Sequence, residues 1–522
     1  MNVVPPAARG FRQCLAALVA AYNKPMETAE SRSEAPFATD RAALLRRLQW
    51  TLPAHGLLSA EEDLRPYECD GLTAWRQLPL AVCLPENEGQ VIDVLRCCHQ
   101  LGVPVVARGA GTGLSGGAMP HAEGVVLSLA RLNKILRLDP TARLAVVQPG
   151  VRNLAVSEAA AAFGLYYAPD PSSQIACTLG GNVAENSGGV HCLKYGLTVH
   201  NVLRLRVVSI EGEVFEIGSA APDAPGYDLL ALLIGSEGML GVVSEITVKL
   251  TPKPELARVA MASFADVGQA GAAVAAIIAA GIIPAGLEMM DKAATAAVEP
   301  FVQAGYDLEA AAILLCESDG APEEVAEEMA RITAVLTAAG AGEVRVSQSE
   351  AERLRFWAGR KAAFPAVGRI TPDYYCMDGT IPRKRLAEML TAIAALERQY
   401  GLRCANVFHA GDGNLHPLIM YDASQPGEWD KAEAFGAEIL ELSVALGGSI
   451  TGEHGVGIEK INQMCVQYAT PELETFHRLK AAFDEGGLLN PGKAVPSLHR
   501  CAEYGRMHVH RGELKFPQLE RF

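Results

Sequence analysis

The sequence has 522 residues, 49% of them hydrophobic, so it can bury a large core over two or three domains. Its formal net charge of -15 argues against a protein that binds nucleic acid by neutralising phosphates. None of the twelve cysteines stands in a C-x-x-C pair. Their spacing therefore argues against iron–sulfur and zinc-ribbon proteins and favours unpaired thiols in a reducing, cytoplasmic compartment.

The first 36 residues carry two arginines before a short apolar run, residues 14–22, which only loosely resembles a secretory signal. Because no small-residue cleavage site follows, we expect residues 1–36 to be a disordered or misassigned extension. The most apolar stretch, residues 270–286, is interrupted by two glycines and by Pro284. The sequence therefore predicts no transmembrane helix.

Helix and strand patterns alternate after residue 87. Val91, Val94, Leu95 and Cys98 recur at helical spacing and predict a helix over 88–101. Apolar runs at 103–107, 124–132 and 143–151 predict three strands. This half of the chain is expected to be mixed α/β.

A second helix is predicted from Asn153, as its N-terminal cap, to Phe163, with Gly164 ending it. Residues 168–200 then contain many glycines and prolines but few strand signals. Such a segment suits backbone that wraps closely around a ligand, so we expect a second cofactor-binding segment there.

The pattern changes near 249–254, where a strand is followed by a proline-bearing link. Beyond it, a predicted helix at 323–338 and predicted strands at 310–318 and 406–411 indicate an α+β substrate domain. We divide the chain into the extension 1–36, a cofactor domain 37–252, a substrate domain 253–496 and a tail 497–522.

The segment ARGAGTGLSGGAMP, residues 107–120, contains a literal G-x-G-x-x-G at Gly111, Gly113 and Gly116. A dinucleotide loop of the Rossmann type requires a helix immediately afterwards, whereas here Pro120 intervenes and a strand pattern follows. Five glycines among nine residues still favour backbone N–H groups that converge on phosphate oxygens over a purely structural turn.

Three ordered motifs, ARGAGTGLSGG, APDPSSQIACTLGGNVAENSGG and LIGSEGMLGVVSEITVKL, resemble the FAD domain of the vanillyl-alcohol oxidase type. The resemblance implies an α+β fold: a PCMH-type FAD-binding domain of two α/β subdomains, followed by an α+β substrate (cap) domain. The first motif is expected to hold the FAD pyrophosphate, the second to line the flavin and the third to hold the adenine end. The residues concerned are Arg108, Gly109, Ala110, Gly111, Thr112, Gly113, Leu114 and Ser115; Pro169, Cys177, Thr178, Gly180, Gly181, Asn186, Gly188 and Gly189; and Gly235, Glu237, Gly238, Gly241 and Val242.

Some members of that family tether the flavin through a histidine in the first glycine loop. This sequence has Thr112 at that place. The resemblance therefore implies that FAD is bound non-covalently.

Two later segments, FHAGDGNLH and TGEHGVG, carry His409 and His416, and Glu453 and His454. Both are expected at strand ends, where glycine turns bring polar side chains toward a cleft. Each histidine alone is more often a hydrogen-bonded structural residue than a metal ligand. Two imidazoles and one carboxylate together would form a three-ligand site with open positions, although the roughly 40 residues between the segments leave both readings open.

The pair H-x-G-D-G-N-x-H and G-E-H resembles the D-2-hydroxy-acid dehydrogenase branch of the family. That resemblance implies that His409, His416 and Glu453 bind a divalent metal, commonly zinc, and that His454 is the general base. Arg360, in FWAGRKAAFPA, matches an arginine that binds the substrate carboxylate in relatives. From the residues alone, Arg360 is equally compatible with a solvated helix face.

Hydroxyglutarate-type relatives carry extra polar residues where this chain has Phe364 and Cys376, so a second substrate carboxylate is not expected. The segments RITPDYYCMDGTIP and GEHGVGIEKINQMC are most similar to the flavin-bearing catalytic subunits of glycolate oxidases. The resemblance implies oxidation of glycolate, and of D-lactate as a further substrate. It also implies a second flavoprotein subunit and an iron–sulfur subunit as partners, with association to the inner membrane only through them.

Two other functions stay open: a self-contained D-lactate dehydrogenase, and a non-catalytic flavoprotein that relays electrons. Glycolate and D-lactate differ by one carbon, which hydrophobic pockets discriminate by only about 1–3 kcal/mol. The retained His409, His416, Glu453 and His454 argue against the non-catalytic alternative. In the tail, Cys501, His508 and His510 are a poor metal set, and we expect the tail to contact another subunit.

Overall fold

The computed structural model describes residues 39–221 and 226–497, with short backbone strands at Val509–His510 and Glu513–Leu514. The predicted extension 1–36 lies outside the described residues, as do the side chains of residues 498–522 in the predicted tail. Nearly all the described strands belong to three sheets, two in the first half of the chain and one in the second.

The first sheet has four strands in the order β1-β2-β4-β3, with β2, β4 and β3 parallel to one another and β1 antiparallel to β2. Its strands are β1 (Leu57–Leu58), β2 (Ala81–Cys83), β3 (Val105–Arg108) and β4 (Val125–Ser128). Two helices, α1 (Arg41–Thr51) and α3 (Glu88–Leu101), bury their apolar faces against it in one cluster. A short helix, α2 (Glu61–Leu64), lies between β1 and β2 in the chain.

The second sheet is a five-stranded antiparallel sheet in the order β5-β6-β10-β8-β9. Its strands are β5 (Ile135–Asp139), β6 (Leu144–Val147), β8 (Val202–Val208), β9 (Val214–Gly218) and β10 (Val242–Lys249). The short strands β7 (Leu165–Tyr166) and β11 (Thr251–Pro252) pair beside it. The associated helices are α4 (Asn153–Ala160), α5 (Leu179–Glu185), α6 (Cys192–Tyr195), α7 (Thr198–Asn201) and α8 (Leu229–Leu233).

The third sheet has seven antiparallel strands in the order β15-β12-β14-β13-β17-β18-β16. Its strands are β12 (Leu256–Phe264), β13 (Gly286–Asp291), β14 (Ala312–Gly320), β15 (Val344–Val346), β16 (Asp373–Cys376), β17 (Arg403–His409) and β18 (Asn414–Tyr421). The helices of this half are α9 (Val267–Ala279), α10 (Lys292–Val302), α11 (Pro322–Ala338), α12 (Glu350–Val367), α13 (Leu386–Tyr400), α14 (Glu428–Ala445), α15 (Met464–Gln467) and α16 (Thr470–Phe483).

Helices cover both faces of this sheet. Alternate residues of β14 divide between two clusters: Leu314 and Cys316 pack with α9, α11, α13 and α14, whereas Ile313 and Leu315 pack with α10 and α12. Central strands buried on both faces read as continuous apolar runs. This explains why β14 and β18 show no apolar–polar alternation in the sequence.

The structure confirms the predicted fold: two α/β subdomains followed by an α+β domain. The helix predicted over 88–101 is observed at those bounds, and it starts at an Asn87 cap and ends at the left-handed Gly102. The prediction that Asn153 caps the next helix is wrong, since Arg152 holds the cap position and Asn153 is the first helical residue. Its buried amide instead donates to the carbonyl of Pro169 and to the side chain of Asn182.

The chain returns to the first half after α16. Phe483 packs in the cluster of the five-stranded sheet, and Leu488 and Leu489 pack in that of the four-stranded sheet. The amide of Asn490 donates to the carbonyls of Gly117 and Glu237. Residues 483–490 therefore pack against the first half of the chain and connect it to the second.

Nine cysteines of the described part are free thiols. Cys465 is disulfide-bonded, so the expectation that every cysteine is unpaired is wrong. Among the described residues, no helix is both long enough and apolar enough to cross a bilayer.

Candidate functional site

Three adjacent strands of the seven-stranded sheet present polar side chains on one face. The antiparallel register pairs His409 with Asn414 and Val407 with His416, so the two histidines are diagonal neighbours on the same face. The pairing of Met289 with Phe408 places Glu288 opposite His409 on that face. Helix α12 packs over it and carries Arg360. The spacing of the two histidines thus comes from a tight hairpin between β17 and β18.

Hydrogen bonds to the ring nitrogens orient both histidines. His409 Nδ1 lies 2.8 Å from Glu288 Oε1 and must donate, because a carboxylate only accepts. His416 Nδ1 lies 3.3 Å from the Met377 carbonyl and donates to it. In both rings Nε2 is therefore the atom directed toward Glu453, whose Oε1 lies 3.3 Å from His409 Nε2 and 3.0 Å from His416 Nε2.

Glu453 and His454 belong to a loop between α14 and α15, so the prediction that this segment lies at a strand end is wrong. The fully buried carboxylate of Asp378 holds the loop: it accepts the backbone N–H groups of Gly452, Glu453 and His454 at 2.9–3.1 Å. A Cβ on Gly452 would lie 1.6 Å from Asn414 Nδ2. A glycine is therefore required where the loop crosses the hairpin.

The histidine–carboxylate cluster is strongly coupled. Burial alone would lower the pKa of His409, but Glu288 and Glu453 raise it well above the usual value. Burial alone would raise the pKa of Glu453, but His409 and His416 hold it well below the usual range. The negative charges of Glu288 and Glu453 therefore favour either protonated histidines or a bound metal ion at this cluster.

His454 stacks on His416 with ring centroids 4.9 Å apart. Its Nε2 lies 3.8 Å from Glu453 Oε1, and its buried Nδ1 has no hydrogen-bond partner among the described residues. Burial, reinforced by the neighbouring His416, lowers the pKa of His454 to about 4 despite the opposing charge of Asp378. This imidazole is therefore neutral near pH 7, as a proton acceptor must be.

A cleft of about 390 Å³ joins the predicted FAD loops to this cluster. Its lining includes Arg360, His416, Glu453 and His454 on the substrate-domain side. On the other side are the predicted cofactor residues Arg108, Gly109, Ala110, Gly111, Thr112, Gly113, Leu114, Cys177, Thr178, Gly180, Gly181, Glu237, Gly238, Gly241 and Val242.

Six predicted cofactor residues do not border this cleft: Ser115, Pro169, Asn186, Gly188, Gly189 and Gly235. The carbonyl of Ser115 instead accepts the backbone N–H groups of Ile458 and Glu459, beyond the Glu453 loop. Gly188 lies against the metal-ligand candidate itself, since a Cβ there would be 2.5 Å from Glu453 Oε2. Ser115 and Gly188 therefore contact the second domain.

Arg360 is only 2% exposed, which excludes the solvated helix face that its sequence also allowed. Its Nε donates to Glu288 Oε2 at 2.6 Å. No protein hydrogen bond to its Nη1 is found in the described chain. Arg360 also lines the cleft, and its other Nη group lies 3.4 Å from His409 Nε2.

Sequence reasoning missed two residues of the site, Glu288 and Asp378. Neither belongs to the histidine motifs, and each is a carboxylate inside or just after an apolar strand. The first of the two acids in LEMMD, and the one acid in MDGTIP, were the available signals. A charge that interrupts a buried strand needs a specific partner.

The donor set suits a divalent metal. One carboxylate oxygen and two imidazole nitrogens lie within 4.8 Å of one another, and the opposite nitrogen of each ring already has a hydrogen-bond partner. A second cavity of about 770 Å³ also reaches His409 and Glu453, along a wall that includes Ala275, Ile278 and Arg383. The ligand set is thus accessible from two sides.

Comparison with known proteins agrees with this architecture. Residues 79–218 match the FAD binding domain family and residues 253–494 match the C-terminal domain of FAD linked oxidases. The first match confirms the predicted FAD-binding domain. Among solved structures, p-cresol methylhydroxylase with bound substrate superposes with a TM-score of 0.75 at 18% identity, over 88% of this chain and 97% of the other. A 4-ethylphenol oxidase from Gulosibacter chungangensis gives 0.73 at 18% identity, over 87% and 97%.

Curated relatives are more similar in sequence. The glycolate oxidase subunit GlcD of Escherichia coli strain K12 is 62% identical over 92% of this chain and 97% of its own length. The subunit of the same name from Bacillus subtilis strain 168 is 40% identical, over 82% and 91%. A D-lactate dehydrogenase of Anaerostipes hadrus is 34% identical, over 77% and 87%. The chain therefore belongs to the FAD-linked oxidases, in the family of the glycolate oxidase subunit GlcD.

Proposed function

We propose that this chain oxidises glycolate to glyoxylate as the FAD-dependent catalytic subunit of a multi-subunit glycolate oxidase. The observation that carries the proposal is the single cleft lined both by the FAD loops and by Arg360, His416, Glu453 and His454. A flavin and a small acid held in one cleft could react directly. A protein that only relays electrons would have no need of a base and an arginine beside the flavin.

The loops at 108–114, 177–181 and 237–242 would hold FAD, since their glycines let backbone approach the cofactor closely. Bound FAD supplies the acceptor for the hydride that leaves Cα of the substrate. His409, His416 and Glu453 would hold a divalent ion, for which zinc suits the nitrogen-rich donor set. Such an ion supplies a Lewis acid that lowers the pKa of the substrate hydroxyl.

The protein residues then have separate tasks. Arg360 binds the substrate carboxylate through the donors that Glu288 leaves free, and so directs Cα and its hydroxyl toward the cluster. Neutral His454 accepts the hydroxyl proton as the Cα hydride departs. Loss of one hydride and one proton converts the alcohol carbon to a carbonyl, which gives glyoxylate.

The cleft wall near Arg360 favours a short substrate. Phe364 and Pro365 line the cleft beside Arg360, and Phe364 packs edge-on against Tyr374 with centroids 5.9 Å apart. The exposed Lys361 lines the same cleft, so only the part of the wall formed by Phe364 and Pro365 disfavours a second carboxylate, because burying an unpaired charge there is costly. Glycolate fits this environment, and D-lactate adds only a methyl group.

Oxidation of D-lactate by a self-contained enzyme is the second candidate function. The similarity to a protein named D-lactate dehydrogenase supports it. The higher identity to proteins named as glycolate oxidase subunits favours the first candidate, and the word subunit in their names supports partner chains. An iron–sulfur subunit and a second flavoprotein subunit would carry electrons away from the reduced flavin.

Anaerobic mixing of the purified FAD-loaded chain with glycolate tests the proposal directly. We expect the oxidised flavin absorbance to bleach with glycolate and more slowly with D-lactate. His454→Gln should keep FAD and metal but slow bleaching roughly 10²–10⁴-fold, the usual contribution of a positioned base. No bleaching by glycolate under conditions where D-lactate bleaches would favour the second candidate, and no bleaching by either would refute both.

A further inference from the structure

We propose that Glu288 is a positioning residue for the reaction: one carboxylate orients both the metal ligand His409 and the substrate-binding Arg360. The inference rests on the proposed function and assigns a role to a residue outside all the recognised motifs. Its basis is the simultaneous contact of Oε1 with His409 Nδ1, at 2.8 Å, and of Oε2 with Arg360 Nε, at 2.6 Å.

The position of Glu288 is difficult to explain by stability alone. Its side chain is 1% exposed within a sheet covered on both faces by helices. Replacing a buried ion pair by apolar residues of similar volume is often neutral or stabilising. The neighbouring strand residues Leu287 and Met289 are apolar and fully packed. A carboxylate at this point therefore indicates a task besides folding.

The first task is to set the tautomer of His409. A carboxylate at Nδ1 accepts a hydrogen bond, so a proton stays on Nδ1, and Nε2, which points toward Glu453, is the nitrogen left to bind a metal. Hydrogen bonds of this kind also raise the basicity of the ligating nitrogen. Without an acceptor at Nδ1, the ring proton could move to Nε2, which could then no longer bind a metal.

The second task is to orient the guanidinium of Arg360. Glu288 accepts a hydrogen bond from Arg360 Nε, and one Nη group of Arg360 lies 3.4 Å from His409 Nε2. These two contacts hold the guanidinium beside the histidine cluster, and Arg360 also lines the cleft. Because His409 and Arg360 share one carboxylate, the distance between the metal ligands and the carboxylate-binding donors is set by Glu288.

Glu288→Gln separates this role from a general structural one. An amide has one acceptor, so it can satisfy either His409 Nδ1–H or the Arg360 Nε–H but directs an NH₂ group at the other. We expect metal affinity, measured by competition with a chelator, to fall about 10–100-fold. We also expect the KM for glycolate, measured at saturating metal, to rise at least as strongly as kcat falls, while FAD content stays unchanged.

Asp291→Asn is the matched control. Asp291 lies three residues along the same strand and is half-buried, and it accepts hydrogen bonds from the Asn406 amide at 2.7 Å and from the Ala294 N–H at 2.8 Å, not from His409 or Arg360. It should leave metal affinity and KM near wild-type values. Glu288→Asp keeps the charge but is one methylene too short to reach both partners, so it should weaken metal binding and raise the KM for glycolate. If the glutamine variant does not fold, this variant tests the positioning role in its place.

Wild-type metal affinity in Glu288→Gln or Glu288→Asp would overturn the inference, and so would equal losses in Asp291→Asn. Metal affinity does not depend on which acid is oxidised. A wild-type chain that binds metal but is not reduced by glycolate would therefore count against the proposed function alone, whereas unchanged affinity in the Glu288 variants would count against the positioning role alone.

Discussion

Asp378→Asn should disorganise the loop that carries Glu453 and His454. The carboxylate Oδ2 accepts from the Thr451 hydroxyl, the Gly452 and His454 amides and the Lys460 ammonium, and Oδ1 accepts from the Asn414 amide and the Glu453 N–H. If the amide oxygen replaces Oδ2, its NH₂ group faces the Asn414 amide and the Glu453 N–H, which keep only longer contacts of 3.3–3.5 Å to other acceptors. Buried unpaired donors cost about 1–3 kcal/mol each, so we expect a loss of about 2–6 kcal/mol in the free energy of unfolding.

Asp378→Asn should slow flavin reduction more than a substitution elsewhere that lowers the free energy of unfolding by the same amount. A displacement of about 1 Å in a catalytic group can cost about 10²-fold in rate. The backbone N–H groups of the proposed ligand Glu453 and of the proposed base His454 both donate to this carboxylate. Urea unfolding and anaerobic flavin reduction measure the two effects. Asp373→Asn is the control: Asp373 begins strand β16, five residues before Asp378, and accepts a hydrogen bond from the Ala423 N–H at 2.9 Å, so its replacement should cost about 1 kcal/mol or less. Unfolding within about 1 kcal/mol of wild type and normal flavin reduction in Asp378→Asn would refute the assignment.

Three further predictions concern the cofactor, the ligand geometry and the pH dependence of stability. Acid precipitation should release all the yellow flavin into the supernatant, because Thr112 offers no covalent tether; flavin left in the pellet would contradict this. Gly188→Ala should lower metal content but not FAD content, because its Cβ would lie 2.5 Å from Glu453 Oε2; unchanged metal by elemental analysis would contradict it. Burial raises the pKa of Asp291 from 3.8 to about 6, so the folded state favours the protonated form and stability is lost as pH rises from about 4 to 6, by at most about 3 kcal/mol. Asp291→Asn should flatten that fall in denaturant unfolding, and an equal fall in both proteins would contradict the stated cause.

The predictable part of the site is the part with local sequence signals. His409 and His416 lie on one hairpin, so the glycine-marked turn between them already brings them together. The change of pattern near residue 250 similarly identifies the link between β10 and β12. In each case the interactions that set the local structure join residues that are close in the sequence.

The missed residues act at long range. Glu288 contacts a histidine 121 residues away, and Asp378 holds backbone 76 residues away at His454. No local pattern reports which buried carboxylate meets which partner. Asn153 was misassigned for a related reason: its local sequence suits a cap, but tertiary structure uses its amide to bind Pro169 and Asn182.

The glycine-rich motifs predicted where another group approaches the backbone closely, but not which group it is. Gly188 belongs to a motif expected to line the flavin, yet its nearest neighbour is the Glu453 carboxylate. The motif is therefore also a contact between domains, which a one-dimensional pattern does not distinguish from a ligand contact.

The most direct test of the central claim uses glycolate deuterated at Cα. With the FAD-loaded, metal-loaded chain under anaerobic conditions, stopped-flow absorbance reports reduction of the flavin in a single turnover. If the Cα hydrogen leaves as a hydride toward the flavin in this cleft, the deuterated acid should bleach the flavin measurably more slowly than ordinary glycolate. The absence of bleaching with either acid would contradict the account.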